Sequence, residues 1–340
     1  MSATFQRPDV AIIGAGLMGR WHAASARGLG ARIVGIVDSD TPRARNLGRA
    51  SAAPAFAGVS ELLAQVRPDV AHVCTPAQTH VPLIRTLLEA RCDVVCEKPL
   101  AAAAPEVAAL FELAHRADRR ICPTHQFATQ EGVRHVLRSR PALGELKSIS
   151  FEICSAGAEL AAGRPRDEVL VEILPHPLSV LAKLLPHARL GELEWRLAPT
   201  AAGELHATTC AQQVPVSIFV SLSARPTRAA ARILGTRGSA ALDFFHGFGL
   251  VRGGGASRAR KLLQPFGESL TQLAAAAGNL SRRILTWEPA YPGLRTLIED
   301  CYAARGIAAR APFGEEEVLD VYRARDAIAQ ALSRRSLHAC

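Results

Sequence analysis

One short turn constrains the fold more than any other feature of this chain. Gly14-Ala15-Gly16-Leu17-Met18-Gly19 follows an apolar run at 10–13 and opens a helical pattern, the context in which a glycine-rich turn can receive a dinucleotide pyrophosphate. Gly14 permits the tight turn, Gly16 lets the backbone approach the pyrophosphate, and Gly19 lets the helix pack closely on its strand. Leu17 and Met18 fill the turn between them, where the helix N-terminus faces the negative charge. Asp38 lies 24 residues after Gly14, at the end of a second strand at 33–37, where a carboxylate can accept both adenosine ribose hydroxyls. The same acid repels a 2′-phosphate, so NAD is favoured over NADP, a preference that nearby Arg43 weakens. The competing reading is a glycine-rich strand–helix turn with no ligand.

The rhythm around the turn extends the argument. From residue 9 to about 125, short apolar runs at 10–13, 32–37, 70–74, 93–96 and 120–122 alternate with helical stretches, the pattern of βαβ units and a doubly wound parallel sheet. After residue 145 the runs take strand composition, at 147–154, 193–197, 204–210, 216–222, 228–234 and 240–245, which predicts a large, mostly antiparallel open sheet. One helix near 177–185 interrupts it. A closing helix over 314–334 starts after Pro312 and Gly314 with three glutamates suited to a helix N-terminus. The expectation is an α/β chain with a Rossmann domain at 1–124 and an α+β substrate and oligomerisation domain at 125–340. Its 340 residues are enough for two such cores.

Composition narrows the class. With 49% hydrophobic and 21% charged residues the chain reads as globular, and wholesale disorder is excluded. Eight cysteines in 340 residues are too few for a disulfide scaffold and show no CxxC spacing. Cys92 and Cys96 lie in a strand-like run without a neighbouring His or Cys cluster, so they read as core thiols rather than metal ligands, and no metal is expected. The first strand begins within about ten residues of the start, which leaves no room for a secretion signal. No apolar run approaches the roughly 18–20 residues of a membrane span. A cytoplasmic location is expected.

Charge is unevenly placed. The net charge is +9, and the segment 250–286 supplies +5 of it through Arg252, Arg258, Arg260, Lys261, Arg282 and Arg283 against Glu268. Leu263, Phe266, Leu270, Leu273, Ala277, Leu280 and Ile284 recur there with the three- and four-residue spacing of one helical face, although Pro265 and Gly267 interrupt it. Such a helix packs on its own sheet or on a second subunit; the other reading is a peripheral membrane contact or a flap for an anionic substrate. No zinc module, RNP-like strand or recognition-helix pattern accompanies the basic charge, so nucleic acid is not an expected partner.

Two further strand ends carry chemistry. The third strand runs into Cys74-Thr75-Pro76-Ala77-Gln78-Thr79-His80 and the next into Cys96-Glu97-Lys98-Pro99-Leu100. In an open parallel sheet both lie at the ligand-binding edge. Only four of the 40 basic side chains are lysine, which makes Lys98 conspicuous. An ammonium beside a cofactor can orient a substrate hydroxyl and lower its pKa; the alternative is a surface lysine before a turn proline.

In this order and spacing the glycine turn, Asp38, CTPAQTH and EKPL resemble the glucose-fructose oxidoreductase / inositol dehydrogenase (Gfo/Idh/MocA) family of nicotinamide-dependent oxidoreductases. The resemblance implies a catalytic lysine at Lys98 and cofactor-lining positions at Thr75, Pro76, His80 and Glu97. It continues in Gly235-Thr236-Arg237-Gly238, similar to the family's GTxG turn, and in the closing helix, and is weakest at 250–290. The family's Asp-x-x-x-His-x-x-Asp pattern falls on 172–179, where Glu172 and Ser179 replace the aspartates. His176 is retained, and the resemblance implies that it is the acid/base, with Glu172 as a supporting acid; a histidine that merely caps the helix is the other reading. Pro175 and Pro177 bracket it, so an unbroken helix is not expected there. His125 falls where the family places Asn or His, followed by Arg and an aromatic residue; here Gln126 and Phe127 follow. His125 reads either as a substrate contact or as a buried structural histidine.

The expected reaction is hydride transfer between NAD(H) and a secondary alcohol or ketone on a sugar, cyclitol or nucleotide-linked sugar. The expected assembly is a homo-dimer or tetramer, with a small and anionic substrate as the other partner. Two rivals stand beside this. One is a reductase of a non-sugar carbonyl or imine, which could dispense with His176; the other is a non-catalytic NAD-sensing regulator.

Overall fold

The computed structural model describes residues 7–155, 163–254, 258–305 and 311–338, without the side chains of 258–263 and 335–338. The side chains of Arg258, Arg260, Lys261 and Leu263, and Cys340, therefore lie outside the described residues. The chain forms two compact units: one comprises Met1–His125 and Leu294–Leu319, the other Gln126–Gly293 and Asp320–Cys340.

The first unit is built on six parallel strands: β1 (Asp9–Ile13), β2 (Arg32–Val37), β3 (Ala55–Phe56), β4 (Val70–Val73), β5 (Asp93–Cys96) and β6 (Ile121–Pro123). Their order is β3-β2-β1-β4-β5-β6, which reverses direction between β1 and β4. The interior strands are short and β-branched because helices cover both faces, leaving Val10 to Ile13 and all of Val70–Val73 buried. Crossovers are α1 (Leu17–Gly28), α2 (Thr41–Ser51), α3 (Val59–Gln65), α4 (His80–Glu89) and α5 (Ala104–Ala117). Asp40 caps α2 by accepting from the Arg43 amide at 3.0 Å. β3 is absent from the sequence reading because two residues carry no period.

The segment Leu294–Leu319 also belongs to this unit, a return of the chain for which the sequence offers no local signal. Its helix Leu294–Ala303 buries Leu294, Leu297, Ile298 and Tyr302 and packs on α1. Arg305 then bonds Asp69 at 2.8 Å and Asp93 at 3.1 Å, which pins the return to the amino ends of β4 and β5. Burial pushes the Asp69 carboxyl up, but this guanidinium and the Asp9 amide outweigh it and hold it below its ordinary range.

The second unit holds seven strands, β7 (Leu146–Cys154), β8 (Arg196–Leu197), β9 (Glu204–Ala211), β10 (Val214–Ser221), β11 (Arg228–Gly235), β12 (Gly238–Asp243) and β13 (Phe248–Gly253). Their order is β13-β12-β11-β7-β10-β9-β8. Only β7 and β10 pair in parallel, so the sheet is mixed and mostly antiparallel. Alternation is clear along β10, where Val216, Ile218 and Val220 are buried and the residues between are not. Two boundaries differ from the sequence reading. The run at 193–197 pairs only at Arg196–Leu197, because Trp195 Nε1 donates to the Leu190 carbonyl at 3.2 Å and Asp320 accepts the Leu190 and Gly191 amides. β13, with glycines at 249 and 253, lacks strand composition and is held by its pairing to β12.

The helices of this unit include Gln126–Thr129, Glu131–Arg138, Arg166–Ile173 and Pro175–Leu184. The bracketing prolines interrupt the helical run at Leu174 alone, and His176 sits in the first turn of the second segment. Among the described residues, no helix is long and apolar enough to cross a membrane. The buried Cys92 thiol, pushed up to about 12 by burial and then by Asp93, donates to the Pro68 carbonyl at 2.8 Å as a packing group.

Candidate functional site

In the first unit the carboxyl ends of parallel strands gather the sequence motifs on one edge. Gly14 has φ +97°, and a Cβ there would stand 2.7 Å from the Cys74 carbonyl oxygen. A Cβ on Gly19 would stand 1.8 Å from the Gly14 oxygen, so α1 approaches its strand more closely than any side chain allows. Gly16 differs: nothing lies within 4 Å of its Cβ direction. Backbone surface is open there, at the N-cap of α1, which is the form a pyrophosphate cradle requires.

Asp38 closes the same edge. Its Oδ2 accepts from the Ala15 amide at 2.7 Å and its Oδ1 from the Asp40 amide at 2.9 Å, tying the glycine turn to the end of β2. A carboxylate oxygen has further lone pairs for ribose hydroxyls. Arg43 pairs with Asp40 at 3.3 Å, on an exposed turn of α2. Leu17 is exposed beside the turn, and Met18 is half-buried.

Beyond β4, Thr79 Oγ1 donates to Thr75 Oγ1 at 2.7 Å. His80 is buried, with Nδ1 2.7 Å from the Pro99 oxygen and Nε2 2.8 Å from the Thr75 oxygen. The structure thus places His80 inside the wall, joining the Thr75-Pro76 loop to the Lys98-Pro99 loop, rather than on its surface. Lys98 is half-buried. Its neighbour Glu97 is buried; burial alone would push this carboxyl up, but the hydrogen bond with His22 and the Lys98 ammonium hold it below its ordinary range.

His22 belongs to a chain of buried groups that the motif reading did not include. Glu97 Oε1 lies 3.0 Å from His22 Nε2, His22 Nδ1 lies 2.8 Å from His72 Nδ1, and His72 Nε2 lies 2.9 Å from the Tyr302 hydroxyl. Burial, with His22 beside it, pushes His72 well below its ordinary range, so this imidazole is neutral and carries one proton. One assignment then satisfies every donor: Tyr302 donates to His72, His72 Nδ1–H to His22, and His22 Nε2–H to the Glu97 carboxylate. The relay is anchored by the return helix through Tyr302, whose hydroxyl burial pushes well above its ordinary range. His125 is fully buried, its ring edge-to-face with Phe313 at 5.3 Å, a packing position with no solvent-facing surface.

The second unit presents a cavity of about 680 Å³. His176, half-buried, stacks on Phe127 at 4.4 Å and 23°, and Phe127 stacks on Phe244 at 4.9 Å and 10°. The aromatic ring following His125 therefore packs against the imidazole. Arg228, His246 and Arg283 add cationic and polar groups to the lining. Arg283 donates to the backbone carbonyls of Glu288, His246 and Pro289, which fixes its guanidinium. Among the described residues Ile173 and His176 line this cavity, whereas Glu172 is ion-paired to Arg164 at 2.5 Å on the neighbouring surface. The carboxylate of Glu172, expected as a supporting acid, pairs with this arginine eight residues upstream.

Comparison with known proteins agrees with this frame. The family profile described as an oxidoreductase family with an NAD-binding Rossmann fold (GFO_IDH_MocA) matches residues 9–125. Inositol 2-dehydrogenase of Rubrobacter xylanophilus is 36% identical over 103 residues, 30% of each chain, so the alignment spans less than a third of that relative. The WlbA dehydrogenase of Bordetella pertussis, solved with NADH and UDP-GlcNAcA, superposes with a TM-score of 0.77 at 16% identity over 97% of both chains. UDP-N-acetylglucosamine 3-dehydrogenase GnnA of Acidithiobacillus ferrooxidans superposes with a TM-score of 0.73 at 18% identity, over 96% of this chain and 97% of that one. Those structural likenesses establish the fold of both units. Over residues 9–125, the chain matches the NAD-binding Rossmann model of the Gfo/Idh/MocA oxidoreductase family.

Proposed function

We propose that the protein is an NAD-dependent dehydrogenase or reductase acting on a secondary alcohol or ketone of a sugar, cyclitol or nucleotide-linked sugar. The observation that carries this reading is the open backbone surface at Gly16, on the strand-end edge that also holds Asp38 and Lys98. The residues fit NAD: Gly14, Gly16 and Gly19 shape the pyrophosphate cradle, Asp38 would take the ribose, and Thr75, Pro76 and Glu97 border the remaining edge. When bound, NAD supplies the acceptor or donor of a hydride.

The chain supplies the proton handling. Lys98, beside a carboxylate that His22 holds ionised, would orient the substrate oxygen and lower the pKa of its hydroxyl. His176, steadied by the Phe127 stack, would take that proton in oxidation and return it in reduction, a task suited to an imidazole near neutral pH. Glu172 is left out of the mechanism because Arg164 engages it. The aromatic stack with Arg228 and Arg283 in one cavity supports a substrate with a planar or anionic substituent, such as a nucleotide-linked sugar.

The test is a fluorescence titration of NADH and NADPH with the wild-type chain and Asp38→Ala, followed by turnover assays on inositols, free sugars and UDP-sugars. NADH binding that weakens at least tenfold in Asp38→Ala, with turnover on one member of the panel, is the expected result. Failure to bind either nucleotide would end the oxidoreductase reading.

A further inference from the structure

The helix Arg258–Leu285 lies on β13 in an unusual orientation. Its polar side faces its own unit: Glu268 pairs with Arg252 at 3.2 Å, Asn279 donates to the His246 carbonyl at 2.8 Å, and Arg282 pairs with Glu288 at 3.4 Å. Its apolar side faces outward. Phe266, Leu270, Leu273, Leu280 and Ile284 are each between 59% and 71% exposed. With Ala277 they repeat at intervals of four, three, four, three and four residues, the narrow seam of a helix built to pair with another helix.

Two properties choose the occupant. From Leu262 to Ser281 the only charged residue is Glu268, and it is turned inward to Arg252. At its far end Arg282 and Arg283 turn to Glu288 and to backbone carbonyls of their own unit, so the seam itself is left apolar, as a helix–helix contact requires. The seam is also self-complementary. Reversed about the level of Ala275, it sets Phe266 opposite Ile284, Leu270 opposite Leu280, and the large Leu273 opposite the small Ala277. All five large side chains stand more than half exposed in one copy, so pairing two copies brings ten of them face to face as the apolar centre of an interface.

We propose that the chain self-associates through this helix, two copies pairing antiparallel so that Leu270 meets the partner's Leu280. The contact is independent of the chemistry proposed above.

Sedimentation velocity of the full chain tests it. The wild type should sediment as an even-numbered assembly. Leu270→Glu/Leu280→Glu and Leu270→Lys/Leu280→Lys should each halve that mass with unchanged far-UV circular dichroism, because the substituted positions are exposed in one copy. Mixing the two variants sets opposite charges across the same layers and should restore the mass, a recovery that general damage to the fold would not produce. As a separate reading, Leu270→Cys mixed with Leu280→Cys should cross-link to each other more than either does alone. The proposal is overturned by a wild type that sediments as a single chain, including one that instead collects on phosphatidylserine vesicles. It is equally overturned by charge variants that keep the wild-type mass, or by a mixture that stays dissociated.

Discussion

Gly16 and Gly19 stand three residues apart in one turn, yet alanine at each should have opposite consequences. At Gly19 the new Cβ would sit 1.8 Å from the Gly14 carbonyl oxygen and 2.9 Å from its carbonyl carbon. Both are backbone atoms, so α1 would have to lift from its strand by roughly 1.5 Å to reach an ordinary contact, at about 3 kcal/mol or more for a rigid clash. At Gly16, φ is −70° in an extended conformation and nothing lies within 4 Å. Alanine fits there and restricts the unfolded chain, worth about 0.4–1 kcal/mol of added stability. If a pyrophosphate rests against that backbone, however, the methyl group occupies its place, and a loss of about 1.4 kcal/mol or more weakens NADH binding at least tenfold. Urea unfolding and NADH fluorescence titration of both variants separate the effects. Gly16→Ala should unfold at or above the wild-type midpoint while losing NADH affinity; Gly19→Ala should unfold much earlier. A Gly16→Ala protein that binds NADH as the wild type does would refute the cradle.

Tyr302→Phe removes the donor to a buried imidazole nitrogen and should lower stability by about 1–3 kcal/mol; a urea midpoint equal to the wild type would show that the relay bears no weight. The relay also predicts an acid limb. His72 is held neutral below its ordinary range, so below about pH 6.5 the unfolded chain binds a proton the native chain refuses, and stability falls with pH by about 1.4 kcal/mol per unit. Glu97 is held below its ordinary range too, which adds a second loss as pH falls below about 4.5 and through its native value. Unfolding free energies measured from pH 8 to 4 should show the first decline in the wild type and lack it in His72→Phe, whereas a flat wild-type profile would contradict the buried neutral assignment. His176→Gln should leave NADH binding intact and reduce turnover on the preferred substrate by about 10²–10⁴-fold; near-normal turnover would favour the non-sugar reductase reading.

What could be read from the sequence was local. Strand runs such as 10–13 and 70–74 are uniformly apolar because helices cover both faces, and the glycines of 14–19 advertise a backbone shape that few other residues permit. Asp38 is legible because it ends a strand at a fixed distance from that turn. The second unit's strands were visible wherever burial alternates, as along β10, and invisible where glycine removes the period, as in β13. His176 and its flanking prolines announced a broken helix, and the break is there at Leu174.

The rest depended on long-range partners that no local pattern encodes. His22 and His72 are 50 residues apart, and Tyr302 comes 230 residues after His72, so each looks alone in its own segment. The available signals were weak: His22 lies three residues after Gly19, close to one helical turn, and His72 is a polar residue inside a strand whose other members are Val, Ala and Val. A histidine at such a position must find a partner or cost free energy, which is reason to expect one without saying where it lies. The partner arrives on a segment that leaves the second unit and rejoins the first. The same logic explains Phe127 and Glu172. In sequence Phe127 is an aromatic residue two places after His125, and Glu172 is a conservative change from Asp. In the structure Phe127 stacks on His176, while Glu172 pairs with Arg164. Neither contact could be read from the sequence, because each depends on a side chain that only the folded chain brings alongside.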